Sequence, residues 1–171
     1  ICIAAGTISM AAADETVKII RAIRAEGLNR ISENELIDII GLKAGDEVNG
    51  EALRDGIRRA FAKGVFTDVR VVTELYEDGV ILKYVVQEIP VVRKIIIDGN
   101  RKISDKEIEK VIQFREDEDF REEYIGRSRK ELLSYYDRRG FPSAEVTITG
   151  EQTKRSYEMD VRVWIDEGLP L

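Results

Sequence analysis

Polar and apolar positions alternate most cleanly near the end of the chain. Tyr157, Met159, Val161, Val163 and Ile165 fall on one side of the alternation, and Glu158, Asp160, Arg162 and Trp164 on the other. That period of two predicts a half-buried strand. Ala144, Val146 and Ile148 set against Glu145, Thr147 and Thr149 predict a second strand. Residues 91–97, where Arg93 and Lys94 interrupt an apolar run, predict a third. Between them the spacing becomes helical. Ser104 with Glu107 has the capping-box separation and opens a helix reaching about Gln113. A longer helix over residues 121–138 buries Ile125, Leu132 and either Tyr135 or Tyr136.

The first half of the chain follows the same plan. Residues 17–24 are rich in β-formers and end at Gly27; Ser32 and Glu35 repeat the capping-box spacing, and the short helix stops at Gly41. A helix over 51–63 places Leu53, Ile57, Ala60 and Phe61 on one face, and Gly64 ends it. Residues 69–75 and 80–86 flank Glu77-Asp78-Gly79, whose Asp-Gly pair is a hairpin signal. Val69, Val71, Thr73 and Leu75 share one face, as do Val80, Leu82, Tyr84 and Val86.

The two halves also share wording. Gly27-Leu28-Asn29-Arg30-Ile31-Ser32 returns as Gly99-Asn100-Arg101-Lys102-Ile103-Ser104, each followed by Glu and an apolar trio. Gly64-Val65-Phe66 corresponds to Gly140-Phe141-Pro142, and Glu88-Ile89-Pro90 to Glu167-Gly168-Leu169-Pro170. Four matches in one order define two tandem modules, residues 14–90 and 91–168, with residues 169–171 opening a following one. Each reads strand, helix, helix, strand, strand: an α+β unit whose sheet meets two helices on one face and solvent on the other.

Composition narrows the chemistry. The 171 residues include no histidine and one cysteine. A Ser-His-Asp or Cys-His device, a His-bearing metal site and an internal disulfide are therefore excluded. Thirty-three acidic against 27 basic side chains leave a net charge of −6, which argues against a nucleic-acid partner. Residues 1–13 carry no charge, end in an Ala-x-Ala pattern before Asp14-Glu15, and read as the remnant of a secretory signal peptide. A buried strand or helix is the alternative, since about thirteen residues are too few to cross a bilayer.

The candidate sites have plainer readings. Glu116, Asp117, Glu118, Asp119, Glu122 and Glu123 lack the calcium-loop pattern and read as a solvated loop. Arg127, Arg129, Lys130, Arg138 and Arg139 sit among acids and read as surface charge. Gly41-Leu42-Lys43-Ala44-Gly45 is one residue too long for a KH-type GxxG clamp. Ser32 and Ser104 have no base and act as helix caps. Trp164 is either a sticky exposed aromatic or packs on a neighbouring module. No cofactor or metal is called for. The backbone is the remaining candidate: a small sheet has two edges, and a bare edge accepts an extended segment of another chain by β-augmentation.

These residues resemble the polypeptide-transport-associated (POTRA) domains of BamA-like outer-membrane assembly factors. The resemblance rests on Ile97-Asp98-Gly99-Asn100 running to Ile103-Ser104, and on Tyr135-Tyr136 followed by Gly140-Phe141-Pro142-Ser143-Ala144-Glu145-Val146. Phe61 to Gly64 with Phe66-Thr67-Asp68-Val69, and Val86-Gln87-Glu88-Ile89-Pro90, add to it. It covers about residues 17–171; the first module departs in having Gly27-Leu28-Asn29 where Gly-Asn is usual. It implies βααββ modules with a mixed three-stranded sheet whose third strand is central, leaving the second strand as a free edge. The implied binding residues are Val69, Arg70, Val71, Val72 and Thr73 in the first module, and Ala144, Val146, Thr147 and Ile148 in the second. It further implies a periplasmic, non-enzymatic scaffold ahead of a C-terminal β-barrel. Its partners would be unfolded outer-membrane protein precursors and accessory lipoproteins. A two-partner secretion transporter exporting one exoprotein is the alternative. Proline at Val71 or Thr147 is expected to weaken capture while leaving the core folded, if the amide concerned faces outward.

Overall fold

The computed structural model describes residues 18–171; the signal-peptide reading of residues 1–13 lies outside the described residues. The chain divides into two compact units, the first running to Gln87 and the second from Glu88 to Leu171.

In the first unit, β1 (Lys18–Glu26) leads to α1 (Glu33–Ile40), β2 (Glu47–Val48), α2 (Gly50–Ala62), β3 (Phe66–Tyr76) and β4 (Gly79–Glu88). The sheet order is β2-β1-β4-β3, with β1 parallel to β4. In the second, β5 (Val91–Asp98), α3 (Asp105–Val111), α4 (Glu123–Arg138), β6 (Glu145–Gln152) and β7 (Glu158–Asp166) give the order β5-β7-β6. There β7 runs parallel to β5 and antiparallel to β6. The last strand of each unit is thus central and buried on its helix side, as the period-two pattern requires: Val80, Leu82, Tyr84 and Val86 in one, Val161, Val163 and Ile165 in the other. The helices close each core with Leu36, Ile40 and Ala60, and with Ile108, Leu132 and Tyr136. Tyr136, rather than Tyr135, is the fully buried one.

The helix starts follow the expected caps. Ser32 accepts from the Glu35 amide at 3.2 Å, and Ser104 and Glu107 form a complete capping box. Glu107 is held below the usual carboxylate range by the Ser104 amide and hydroxyl, Tyr135 and Arg139.

Three features differ from the sequence reading. The first sheet has a fourth, two-residue strand, β2, paired antiparallel with the start of β1. Gly79 is not the turn residue: Glu77-Asp78 make the turn, with Glu77 at φ 49°. Gly79 opens β4, where a Cβ would be driven into the Ile19 carbonyl and the Arg21 side chain. Its role is close approach between strands. Phe61 stays largely exposed, because Gly56 and Ala60 carry the buried stripe of α2.

The repeat reaches further than its shared residues. In the first unit the Ile20 amide donates to Asp46 O at 2.9 Å, and the Gly45 amide donates to Ile20 O at 2.8 Å. In the second, the Val92 amide donates to Glu118 O and the Asp117 amide to Val92 O, both at 2.8 Å. Gly45 and Asp117 both take positive φ, 93° and 65°. Directly after Ile20 and Val92 each strand bulges, and the bulged residue is an arginine. Arg21 pairs with Asp78, and Arg93 with Asp160, Nε to Oδ1 being 2.8 Å. The connection between the two helices therefore returns to flank the first strand in both units. The acidic run at 116–119 is part of that flank as well as a solvated loop: Glu116 accepts from the Ile95 amide at 3.1 Å, and the Phe120 amide reaches Pro90 O at 2.7 Å.

Candidate protein-binding edges

Each sheet has two sides in the hydrogen-bonding direction, and the chain treats them differently. On the β1 and β5 side, the helix–helix connection supplies backbone partners to the strand start. Glu33 and Glu116 side chains continue this flank by accepting from Ala25 and Ile95, each at 3.1 Å. On the opposite side, β3 and β6 end their sheets among the described residues. These are the two strands on which the sequence-derived binding residues fall.

The register of the second unit fixes which backbone groups face away from the sheet. Val146 is paired with Ile165. The Ile165 carbonyl is turned toward Gly99, on the β5 side. Backbone groups of a strand residue point to one side together and alternate along the strand, so Val146–Ile165 is a non-hydrogen-bonded pair. Val146 and Ile148 thus point N–H and C=O away from β7, while Thr147 spends both on Trp164. Ala144 precedes β6, and its amide donates to Phe141 O at 3.2 Å. Of the four residues singled out there, Val146 and Ile148 carry the outward groups, with side chains buried against the helices. The expected proline probe at Thr147 is misplaced, because its amide belongs to the ladder.

In the first unit, β3 outruns the helix that covers it. Val69 is buried and Val71 partly so, but every residue from Val72 to Tyr76 is exposed. Leu75 is 80% exposed, Tyr76 49% and Val72 48%. Arg70 pairs locally with Asp68 at 2.9 Å, which leaves the strand's apolar character dominant. An edge strand with exposed apolar residues on both faces is what soluble proteins normally avoid.

One participant was not evident from the sequence. Arg129, on α4, reaches past the sheet margin and donates from Nε to the Val146 carbonyl at 3.0 Å. In the sequence it reads as one of five surface charges. The signal that could have found it is its place relative to Gly140, which matches the place of Leu53 relative to Gly64.

The open face of the second sheet is polar around one aromatic. Arg162 bonds Glu151 at 2.9 Å and Asp98 at 3.0 Å, spanning all three strands. Trp164, between Asp98 and Thr147 in register, is 45% exposed. Among the described residues no group of three or more acidic, Cys or His side chains is placed to hold a metal. No described helix is long and apolar enough to cross a membrane.

Comparison with known proteins places this architecture. The family model for POTRA, "Surface antigen variable number repeat", matches residues 18–89 and again 90–168. An outer membrane protein assembly factor BamA from Nitratidesulfovibrio vulgaris is 22% identical over 149 residues, which is 87% of this chain and 19% of that protein. BamA from Neisseria meningitidis serogroup B is 29% identical over 167 residues, 95% of this chain and 20% of that protein. The chain thus spans about a fifth of the length of these relatives. The N-terminal domain of Omp85 from Thermosynechococcus elongatus shares the fold, with a TM-score of 0.53 and 21% identity, over 91% of this chain and 65% of that one. Two family matches laid end to end, on the two compact units of the fold, make the chain a member of the POTRA family, carrying two modules in tandem.

Proposed function

We propose that the chain is the periplasmic scaffold of an outer-membrane β-barrel assembly protein. POTRA domains form the periplasmic portion of BamA and Omp85 outer-membrane proteins, which supports this placement. Modules 14–90 and 91–168 hold unfolded outer-membrane protein precursors, and accessory lipoproteins, ahead of a C-terminal barrel. The work is non-catalytic. Capture is by strand addition: an incoming segment donates and accepts main-chain hydrogen bonds along β3 or β6, so affinity does not depend on the guest's sequence.

The observation that carries this reading is the asymmetry of the sheet margins. In both units the chain covers one margin with its own helix–helix connection and ends the other with a strand. A protein that only needed to remain soluble would blunt both. Photocrosslinking in cells tests it, with a photoreactive residue at Val72, Thr73 or Thr147 of the full protein. Adducts to newly exported barrel precursors are expected from at least one strand. Adducts from neither, at normal protein levels, contradict it.

A further inference from the structure

The two margins differ from each other, and the difference resides in one helix position. Leu53 of α2 and Arg129 of α4 each stand eleven residues before the glycine that follows their helix. Leu53 packs into the first core and offers no donor. Arg129 places its guanidinium on Val146 O, the outward acceptor that a strand added to β6 would need. A guest there must displace a charge-assisted hydrogen bond and bury or expel a cation before its own ladder forms. The rest of β6 is equally uninviting, since it continues through Gly150, Glu151 and Gln152, and Glu151 is held by Arg162. By contrast β3 is eleven residues long against eight, and its exposed half carries Val72, Leu75 and Tyr76.

Resting on the strand-addition reading above, we propose that Arg129 guards the β6 margin, so that capture by this chain takes place at β3. The occupant is an extended segment with apolar residues at alternate positions, the pattern of a barrel strand. Apolar side chains at alternate guest positions meet Val72 and Tyr76, which share a face, while the guest backbone satisfies the edge. Only another strand's backbone matches a row of donors and acceptors at this repeat.

The test uses the full chain and a synthetic ten-residue peptide of alternating apolar and polar residues. Photoreactive groups stand at Thr73 on β3 and Thr147 on β6. The native chain is expected to give adducts from Thr73 about tenfold above those from Thr147, the worth of one charge-assisted hydrogen bond. Arg129→Leu should bring the Thr147 yield close to that from Thr73, with the latter unchanged. Arg129→Met, which keeps the stem but not the donors, serves as the second variant should the first misfold. Leu53→Arg should lower the Thr73 yield. Equal yields from both strands in the native chain, unmoved by either Arg129 variant, overturn the guard while leaving strand addition standing. No adduct from any variant overturns strand addition itself. Adducts joining two copies of the chain at Thr73, in place of peptide, overturn the assigned occupant.

Discussion

Gly99 lies so close against the carbonyl of Ile165 that a Cβ built on it would stand less than 3.0 Å from the oxygen. Gly27 stands in the same relation to Val86, and both glycines have φ 89°. In each unit this contact is where the first strand leaves the sheet beside the central strand. Gly99→Ala or Gly27→Ala combines a strained backbone with a backbone clash that no side-chain rotation relieves. Each is expected to cost about 4 kcal/mol. Urea unfolding of the two variants checks this, and a loss under 1 kcal/mol at both sites would show that the strands can part without penalty.

Glu167 is 7% exposed and accepts from the amides of Arg101 and Lys102 at 2.9 Å and of Ile103 at 3.3 Å, with the Tyr136 hydroxyl at 3.4 Å. Burial pushes this carboxyl up, but the three amides and the hydroxyl outweigh it and hold the group below 4.5. A carboxyl whose folded pKa is depressed stabilises the fold above its unfolded pKa, and that contribution is lost as pH falls through the folded value. Glu167→Gln should therefore lose about 2 kcal/mol at pH 7. The gap from the native chain should narrow as pH drops below 4.5. Chemical unfolding across pH 2–7 reads both limbs, and a gap that stays constant with pH would remove the charge from the explanation.

Tyr84 carries a buried hydroxyl that finds no hydrogen-bond partner among the described residues, and burial raises its pKa to about 12. That hydroxyl lies against Gly56 of α2, 3.1 Å from where a Cβ would stand. An unpaired buried polar atom is a cost with no return, so Tyr84→Phe is expected to stabilise the first unit by about 1 kcal/mol. Differential thermal unfolding measures it, and a destabilised variant would mean that the hydroxyl has a partner.

Thr147→Pro is expected to weaken the second unit by about 2 kcal/mol, because it deletes a ladder donor to β7. Thr147→Val keeps that donor and should leave stability within about 0.5 kcal/mol of native. Equal stability of the two variants would mean that the register of β6 is offset by one residue.

What the sequence made legible was whatever side chains enforce. The alternation through Val161, Val163 and Ile165 marks the central strand, and Ser104 with Glu107 marks a helix start. What stayed hidden was carried by backbone. Lys43-Ala44-Gly45-Asp46 and Arg115-Glu116-Asp117-Glu118 share almost no residues, yet make the same two hydrogen bonds to Ile20 and Val92. Hydrogen bonds between main-chain atoms need only the right φ and ψ, which Gly45 and Asp117 both supply. Arg129 was hidden for a different reason. An arginine on a helix reads as solvated, and only the strand register shows that the carbonyl it meets faces away from the β6–β7 ladder.

Strand addition is tested most directly by amide hydrogen exchange along β3, residue by residue, with and without the alternating ten-residue peptide. Every second amide between Val69 and Tyr76 should slow on peptide addition, while those of β6 keep their rates. Unchanged exchange throughout β3 at saturating peptide, or slowing confined to the helices, would contradict capture at the sheet margin.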